Sequence, residues 1–163
     1  MSIRRFIKLL MLACMCAASA TMAAEPQDFL RHYAEQAKIA DPDFTGFSAE
    51  RGRAFYTKRH PVEDNGMLSC ASCHHPDPLK TTEAHKDQIP CRACHVVFAR
   101  LPDSHRPTRR EIPPFAPNGN PNRFTNEWKV EYWFDYNCKL LLKRPCTPQE
   151  KGDLITWLLT ARP

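Results

Sequence analysis

The sequence has little glycine and no long apolar run after its N-terminus. Only 5 of its 163 residues are Gly, whereas 15 are Pro. Proline removes a backbone donor from a sheet ladder, so this composition favours rigid connections over strands. We therefore exclude an all-parallel sheet. No stretch beyond residue 24 approaches the ~20 consecutive apolar residues that a membrane-spanning helix needs.

Acidic residues are absent from the first 24 positions. This segment contains Arg4, Arg5 and Lys8, continues as an apolar run, and ends in small residues up to Ala24. That order is typical of a secretory signal peptide. We predict a signal peptide over 1–24, cleaved near Ala24, and an exported, periplasmic domain over 25–163. A lipidated Cys14 is the less favoured alternative, because the apolar run before it is short.

Excess positive charge is also missing once the signal peptide is removed. Three of the 23 Lys and Arg residues lie in the first 24 positions, which leaves 20 against 18 Asp and Glu. A net charge of about +2 is too small to indicate a surface that binds the phosphate backbone of nucleic acids. We therefore expect no nucleic-acid partner.

Cysteine and histidine are present in a doubled motif. Residues 70–74 and 91–95 both read Cys-x-x-Cys-His, the attachment signature of a c-type haem. Two thiols one helical turn apart reach the two vinyl groups, and the next residue presents imidazole to the iron. We predict two covalently bound haem c groups. The first haem would be attached at Cys70 and Cys73, with His74 as an iron ligand. The second would be attached at Cys91 and Cys94, with His95 as an iron ligand.

Four cysteines at this spacing also fit a zinc ribbon, and two disulfides could staple an exported domain. Neither alternative accounts for the histidine that directly follows each pair. A haem also supplies a large apolar surface to a chain with limited core material. Five aromatic residues are expected to form the core and the haem wall: Phe124, Trp128, Trp133, Phe134 and Trp157.

The polypeptide around the haem motifs is predicted to be helical. Residues 26–40 begin with Pro and carry apolar side chains on one face, and a second helix follows over 48–59. Inside it, the bare backbone of Gly52 lets another helix approach closely. The expected partner is the last helix, which opens with a capping box at 147–150. A further helix begins near Thr125.

Methionine is scarce in the exported domain. Four of the five Met residues precede position 25, so only Met67 could complete a His/Met iron centre, and its place three residues before Cys70 disfavours it. Histidines of the second motif's own segment are better candidates for the second axial position. We predict His105 as the distal ligand of the second haem, with His85 as the alternative, giving a low-potential electron-transfer centre. The remaining histidines are His32, His60 and His75.

Two further cysteines, Cys138 and Cys146, lie near the C-terminus. In an exported protein the default is a disulfide, which would constrain this short loop. The alternative is that one of them is a thiolate ligand of iron. Asn137, just before the pair, is by its position best interpreted as a helix C-cap.

From Ala49 to the C-terminus the sequence resembles the sphaeroides haem protein family, small class-I-type cytochromes c with an asparagine ligand. The matches keep the family's order and spacing, most specifically in the Asn-Cys and Cys-Thr-Pro segments. They are residues 50–54, 69–74, 114–117, 122–125, 137–138 and 146–151, with Leu154 and Trp157.

The resemblance implies a displaceable distal ligand on the first haem. An amide is a weak iron ligand, and its departure on reduction would open the iron to O2, NO or CO. The family pattern has one haem, so residues 75–107 are expected to be an insertion that carries the second. The resemblance assigns haem attachment to Cys70 and Cys73, axial ligation to His74 and Asn137, and a disulfide to Cys138 and Cys146.

The expected fold is all-α: a cytochrome c-like helical fold wrapped around covalent haem, with long proline-rich loops and an inserted second haem-binding segment. The expected function is a periplasmic dihaem c-type cytochrome that transfers electrons and binds a small gas at its first haem. Its expected redox partners are other cytochromes, with a membrane cytochrome b as one candidate. The alternative is a haem enzyme that reduces O2, NO, nitrite or hydroxylamine; an electron carrier without catalytic activity is the favoured interpretation.

Overall fold

The computed structural model describes residues 23–62, 66–82 and 112–163. In these residues the chain is mostly helical and the all-α fold class is confirmed. None of the described helices is long and apolar enough to cross a membrane. The elements in chain order are α1 (Pro26–Ala40), α2 (Ala49–Thr57), β1 (His60–Val62), β2 (Gly66–Leu68), α3 (Cys70–Cys73), α4 (Glu127–Leu142) and α5 (Pro148–Thr160).

Several predicted features lie outside the described residues. Residues 1–22 of the expected signal peptide are among them, as is the whole second Cys-x-x-Cys-His motif. The expected insertion over 75–107 is described only up to residue 82. The attachment residues and iron ligands predicted for the second haem therefore stay predictions: Cys91, Cys94, His95, His85 and His105.

A short antiparallel hairpin, β1–β2, was not anticipated from the sequence. His60 pairs with Leu68 and Pro61 with Met67. Each strand has three residues, which is too short for an alternating apolar pattern to be recognised. The hairpin leads directly into the turn at Cys70.

Helix α1 begins where the sequence predicts and buries one face. Pro26 occupies its first turn, where a missing N–H is not needed. Phe29, Tyr33 and Ala37 recur every four residues, and all three are buried. The Tyr33 ring meets Phe134 of α4 edge-on, with 6.2 Å between centroids. This face therefore packs α1 into the common core.

Helices α2 and α5 cross in close contact at Gly52. A Cβ atom on Gly52 would lie 2.0 Å from the carbonyl oxygen of Asp153 and 2.9 Å from the Cβ of Trp157. The predicted close approach of the last helix is confirmed. Arg51 also donates from Nε and Nη2 to the two carboxylate oxygens of Asp153, at 2.7 and 2.9 Å. Asp153 is buried and accepts a third hydrogen bond from the Ser48 N–H, so its charge is compensated.

The predicted capping box opens α5. Thr147 Oγ1 accepts a hydrogen bond from the Glu150 N–H at 3.1 Å, and the Glu150 carboxylate accepts from the Thr147 N–H at 2.8 Å. Arg144 donates two further hydrogen bonds to that carboxylate. Burial alone would raise the pKa of Glu150, but the hydrogen bonds from Arg144 and Thr147 outweigh burial and lower it.

Helix α4 differs from the prediction at both ends. It begins at Glu127, with Asn126 as its N-cap, two residues later than expected. Its last residue is Leu142. The C-cap, Lys143, adopts the left-handed conformation with φ of 58°. Asn137 therefore lies inside the helix, and its interpretation as a C-cap is wrong.

The aromatic residues expected in the core and haem wall divide into two groups. Phe124 and Phe134 are buried, and Trp133 and Trp157 are half-buried. Trp128 is 68% exposed and stacks on Tyr132 one turn along the surface of α4, so its assignment to the core is wrong. In the first turn of α4 its side chain faces solvent. The residue type alone, an aromatic, does not predict which way the side chain faces.

Candidate haem site

The first motif folds as a single helical turn. Helix α3 begins with Cys70 and ends with Cys73, and the His74 N–H donates to the Cys70 carbonyl at 2.9 Å. Ser69 and Ser72 form the capping box that starts the turn. Neither cysteine forms a disulfide. The structure thus brings the three predicted attachment residues together on one turn.

His74 lies among apolar and aromatic side chains. Its ring stacks on that of Phe115, with 4.3 Å between centroids and 16° between planes. Its Nδ1 atom is shielded from solvent and has no hydrogen-bond partner among the described residues. Burial lowers the pKa of His74 to about 3, and the positive charge of Arg123 adds to the effect. The imidazole is therefore neutral, the form that ligates iron.

Burial acts on the neighbouring thiol as well. It raises the pKa of Cys70 to about 11, so the thiol stays uncharged at neutral pH. Zinc binds cysteine as the thiolate, a form that this environment disfavours. The first motif therefore presents a neutral thiol close to a neutral imidazole.

Tyr56 ties the motif to the α2–α5 pair. Its hydroxyl donates to the carbonyl of His75 at 2.8 Å, and its ring lies 4.7 Å from that of Trp157. The side chain is fully buried, and burial raises the pKa of Tyr56, which keeps the hydroxyl protonated. The helix pair therefore fixes the backbone directly after His74.

The proline strap, residues 112–117, packs against the segment that follows the motif. Two successive N–H groups of the strap donate to the carbonyl of Pro78, each at 2.9 Å. Thr82 and Ile112 exchange two backbone hydrogen bonds, also at 2.9 Å. The chain therefore leaves this region at residue 82 and rejoins it at a neighbouring point, close to the turn that carries His74.

Asn137, the expected distal ligand, lies half-buried in the second half of α4. It shares a helix face with Trp133 and Leu141 at four-residue spacing. The next residue, Cys138, forms a disulfide with Cys146, with 5.5 Å between the Cα atoms. Both sulfurs are therefore used, and the alternative of a thiolate iron ligand is wrong. The bridge holds this end of α4 against the start of α5.

The other candidates for axial ligation lie on the hairpin, on α1 and beside the motif. His32 is exposed on α1, and Met67 is 42% exposed on β2, so neither is buried as an axial ligand of an enclosed haem would be. His75 uses Nδ1 to accept a hydrogen bond from the backbone two residues on. Burial, together with nearby positive charge, lowers the pKa of His60 on β1.

Two residues that sequence reasoning did not assign to the site are Phe115 and Arg123. Phe115 is the aromatic residue of the proline strap and provides the face on which His74 stacks. Arg123 donates to two carbonyls of the same strap. Both lie in the family-matching segments 114–117 and 122–125, but no local pattern assigns them to the site, because His74 lies 41 and 49 residues away along the chain.

These residues fit a covalently attached haem. Two cysteines on one turn would supply the attachment points, and the neutral His74 would supply an axial nitrogen. The rings of Phe115 and Tyr56 supply apolar walls, and the unpaired Nδ1 of His74 indicates a site built for more than the polypeptide contains.

Comparison with known proteins agrees with this site. A family profile described as "Domain of unknown function (DUF1924)" matches residues 42–86 and 79–158. Cytochrome c-type protein SHP of Cereibacter sphaeroides is 33% identical over 110 residues, 68% of each chain. The chain belongs to the SHP family of c-type cytochromes. Another relative, cytochrome c'' of Methylophilus methylotrophus, is 30% identical over 128 residues, 78% of this chain and 74% of that one.

Solved structures of SHP-family proteins share the fold. Oxidised cytochrome c'' of Methylophilus methylotrophus superposes with a TM-score of 0.65 at 28% identity, covering 85% of this chain and 95% of that one. Oxidised SHP, an oxygen-binding cytochrome c, gives 0.59 at 29% identity, covering 83% and 96%. The resemblance found in the sequence is thus confirmed, and with it a haem cytochrome that carries covalently bound haem c.

Proposed function

We propose that this protein is an exported, periplasmic dihaem c-type cytochrome that transfers electrons and binds a small gas at its first haem. The observation that carries the proposal is the turn at residues 70–74. It offers two cysteines outside any disulfide and a half-buried imidazole whose shielded Nδ1 has no partner among the described residues. In this proposal Cys70 and Cys73 hold the first haem, and His74 is its proximal ligand.

Gas binding needs a distal ligand that leaves the iron. We assign this role to Asn137, because a neutral amide binds iron weakly. Its neighbour Cys138 is bridged to Cys146, which limits movement of the helix around it. Two SHP-family proteins support the idea: SHP is an oxygen-binding cytochrome c, and the solution structure of cytochrome c'' concerns haem-ligand detachment.

The second haem is proposed from the motif at residues 91–95, with His95 as one axial ligand and His105, or alternatively His85, as the other. The pairing of Thr82 with Ile112 supports an electron relay. It brings both ends of the motif-bearing segment next to the first site, so the two haems are tethered to one region of the fold.

A spectroscopic experiment tests the gas-binding half. The purified, matured protein is reduced, and its spectrum is compared with and without CO. We expect a CO shift for one of two haems, and a low-spin EPR signal from both in the oxidised state. In Asn137→Ala the ferric first haem should lose its low-spin signal, whereas CO binding remains. No CO shift in the wild-type protein would overturn gas binding.

A separate turnover measurement tests whether the protein is a catalyst. An artificial electron donor is supplied with O2, NO, nitrite or hydroxylamine in excess. An electron carrier consumes no more than one equivalent per haem, whereas continued consumption would establish a reductase and replace the proposed electron-carrier function.

Cell fractionation and N-terminal sequencing test export, with a mature chain expected to start near Glu25.

A further inference from the structure

Arg123 is a half-buried cation that is hydrogen-bonded to the proline strap. Its Nε donates to the carbonyl of Pro114 and its Nη2 to the carbonyl of Pro113, both at 3.0 Å. Its guanidinium carbon lies 5.3 Å from the centroid of the Phe115 ring. These contacts hold the charged group in one place without neutralising it.

No carboxylate of the described residues forms an ion pair with Arg123. The described ion pairs use other cations, among them Arg51, Lys80 and Arg144. Burial lowers the pKa of Arg123, and no carboxylate of the described residues offsets that effect. A guanidinium has five N–H donors, and described residues accept two of them. The remaining donors have no described acceptor and can bind a carboxylate.

The position of Arg123 points to where that anion comes from. Phe115, against which the guanidinium lies, stacks on the His74 ring. The Phe115 ring therefore contacts both this cation and the imidazole that would hold the haem iron.

We propose that Arg123 binds a propionate carboxylate of the haem attached at Cys70 and Cys73. A haem brings two carboxylates into the fold, and each is costly to bury without a cation. Arginine matches a carboxylate with two parallel N–H···O bonds. The inference rests on the proposed attachment at residues 70–74, and it adds a binding role for a residue that is hydrogen-bonded to the proline strap.

Two other roles for Arg123 give different results. A purely structural role would be to hold the proline strap through the carbonyls of Pro113 and Pro114. In a third case, a carboxylate of the polypeptide would neutralise the cation. In both, loss of the guanidinium changes stability without changing the hydrogen bonding of the propionates.

Resonance Raman spectroscopy of the matured protein separates these cases, because propionate bending modes respond to hydrogen bonds on the carboxylate. We expect Arg123→Gln to shift one such mode to lower frequency in the difference spectrum against wild type. The midpoint potential should also fall, because a positive charge near the iron favours the reduced form. Arg123→Lys keeps the charge and should restore most of the potential but only part of the Raman shift.

The matched control is Arg144→Gln, which removes the same charge from an exposed pair with Glu150. It should leave the propionate modes unchanged. Unchanged modes in Arg123→Gln and Arg123→Lys, in protein that carries the haem, would overturn the propionate assignment while the proposed function stands. A haem stain that shows no covalent haem on a Cys91→Ala, Cys94→Ala variant would instead remove the proposed first haem and the gas-binding function with it.

Discussion

The regions on the two sides of Tyr56 differ in how fully the polypeptide pairs its own polar and charged groups. On the α2–α5 side, Gly52 allows backbone contact and the buried charge of Asp153 is fully hydrogen-bonded by Arg51 and Ser48. On the motif side, the shielded Nδ1 of His74 has no described partner, and the half-buried cation Arg123 has no described anion. The first side is held by protein alone, whereas the second is arranged for a cofactor.

The two sides should therefore respond differently to substitution. Changes at the helix crossing should alter stability and leave the haem's spectroscopic properties intact. Changes on the motif side should alter both, because the same side chains shape the polypeptide and the surroundings of the iron.

The largest effect is expected at the helix crossing. Gly52→Ala would place a methyl group 2.0 Å from a backbone oxygen of α5, so the two helices must separate. We expect a loss of about 3 kcal/mol or more in the free energy of unfolding, measured by urea denaturation. The matched control, Ala54→Gly on an exposed turn of the same helix, should cost about 1 kcal/mol. A Gly52→Ala protein as stable as this control would show that the helices do not touch here.

A pair of phenylalanines compares the protein-only core with the motif side. Phe29→Ala removes a buried ring of α1 and should cost about 3 kcal/mol. Phe115→Ala removes a half-buried ring and should cost about 2 kcal/mol. Only Phe115→Ala should also change the EPR g-values of the oxidised protein, because the His74 ring loses the surface on which it stacks. Equal EPR spectra for both variants would break the distinction between the two sides.

A smaller effect is expected at Tyr33, which donates its buried hydroxyl to Glu131 of α4. Lys151 of α5 also donates to that carboxylate, at 2.6 Å, so Tyr33→Phe leaves Glu131 partly paired. We expect a loss of about 1 kcal/mol, seen as a lower melting temperature with an unchanged haem spectrum. A double-mutant cycle with Glu131→Gln checks the pairing. Fully additive effects would mean that the two side chains do not interact.

The smallest effect concerns pH and the α5 cap. Because the folded protein lowers the pKa of Glu150, its carboxylate stabilises the fold above the unfolded pKa of about 4.3, and this contribution is lost as pH falls through the folded pKa. Glu150→Gln should cost about 1 kcal/mol or less at pH 7. In urea unfolding from pH 7 to pH 3, the difference between wild type and variant should shrink below about pH 4. A difference that stays constant would show that the charge contributes nothing.

Local patterns predicted much of the scaffold. The bounds of α1, the capping box at Thr147 and the close approach at Gly52 each depend on neighbouring residues or on a single unusual residue type. The Cys-x-x-Cys-His turn is likewise a local motif, and the structure brings Cys70, Cys73 and His74 together as expected.

Features set by long-range contacts were missed. Trp128 resembles a core residue by type, yet its place on α4 faces solvent. Asn137 resembles a helix cap, yet the helix continues five residues further. Phe115 and Arg123 reach His74 through the fold of the proline strap, which no periodic pattern reports.

We expect residues 70–74 to hold a covalent haem independently of the second motif. The decisive experiment is an intact-mass measurement of a Cys91→Ala, Cys94→Ala double variant, matured in a host that assembles c-type cytochromes. We expect one haem addition on this variant and two on the wild-type chain. A double variant with the mass of the bare polypeptide would show that residues 70–74 hold no haem by themselves.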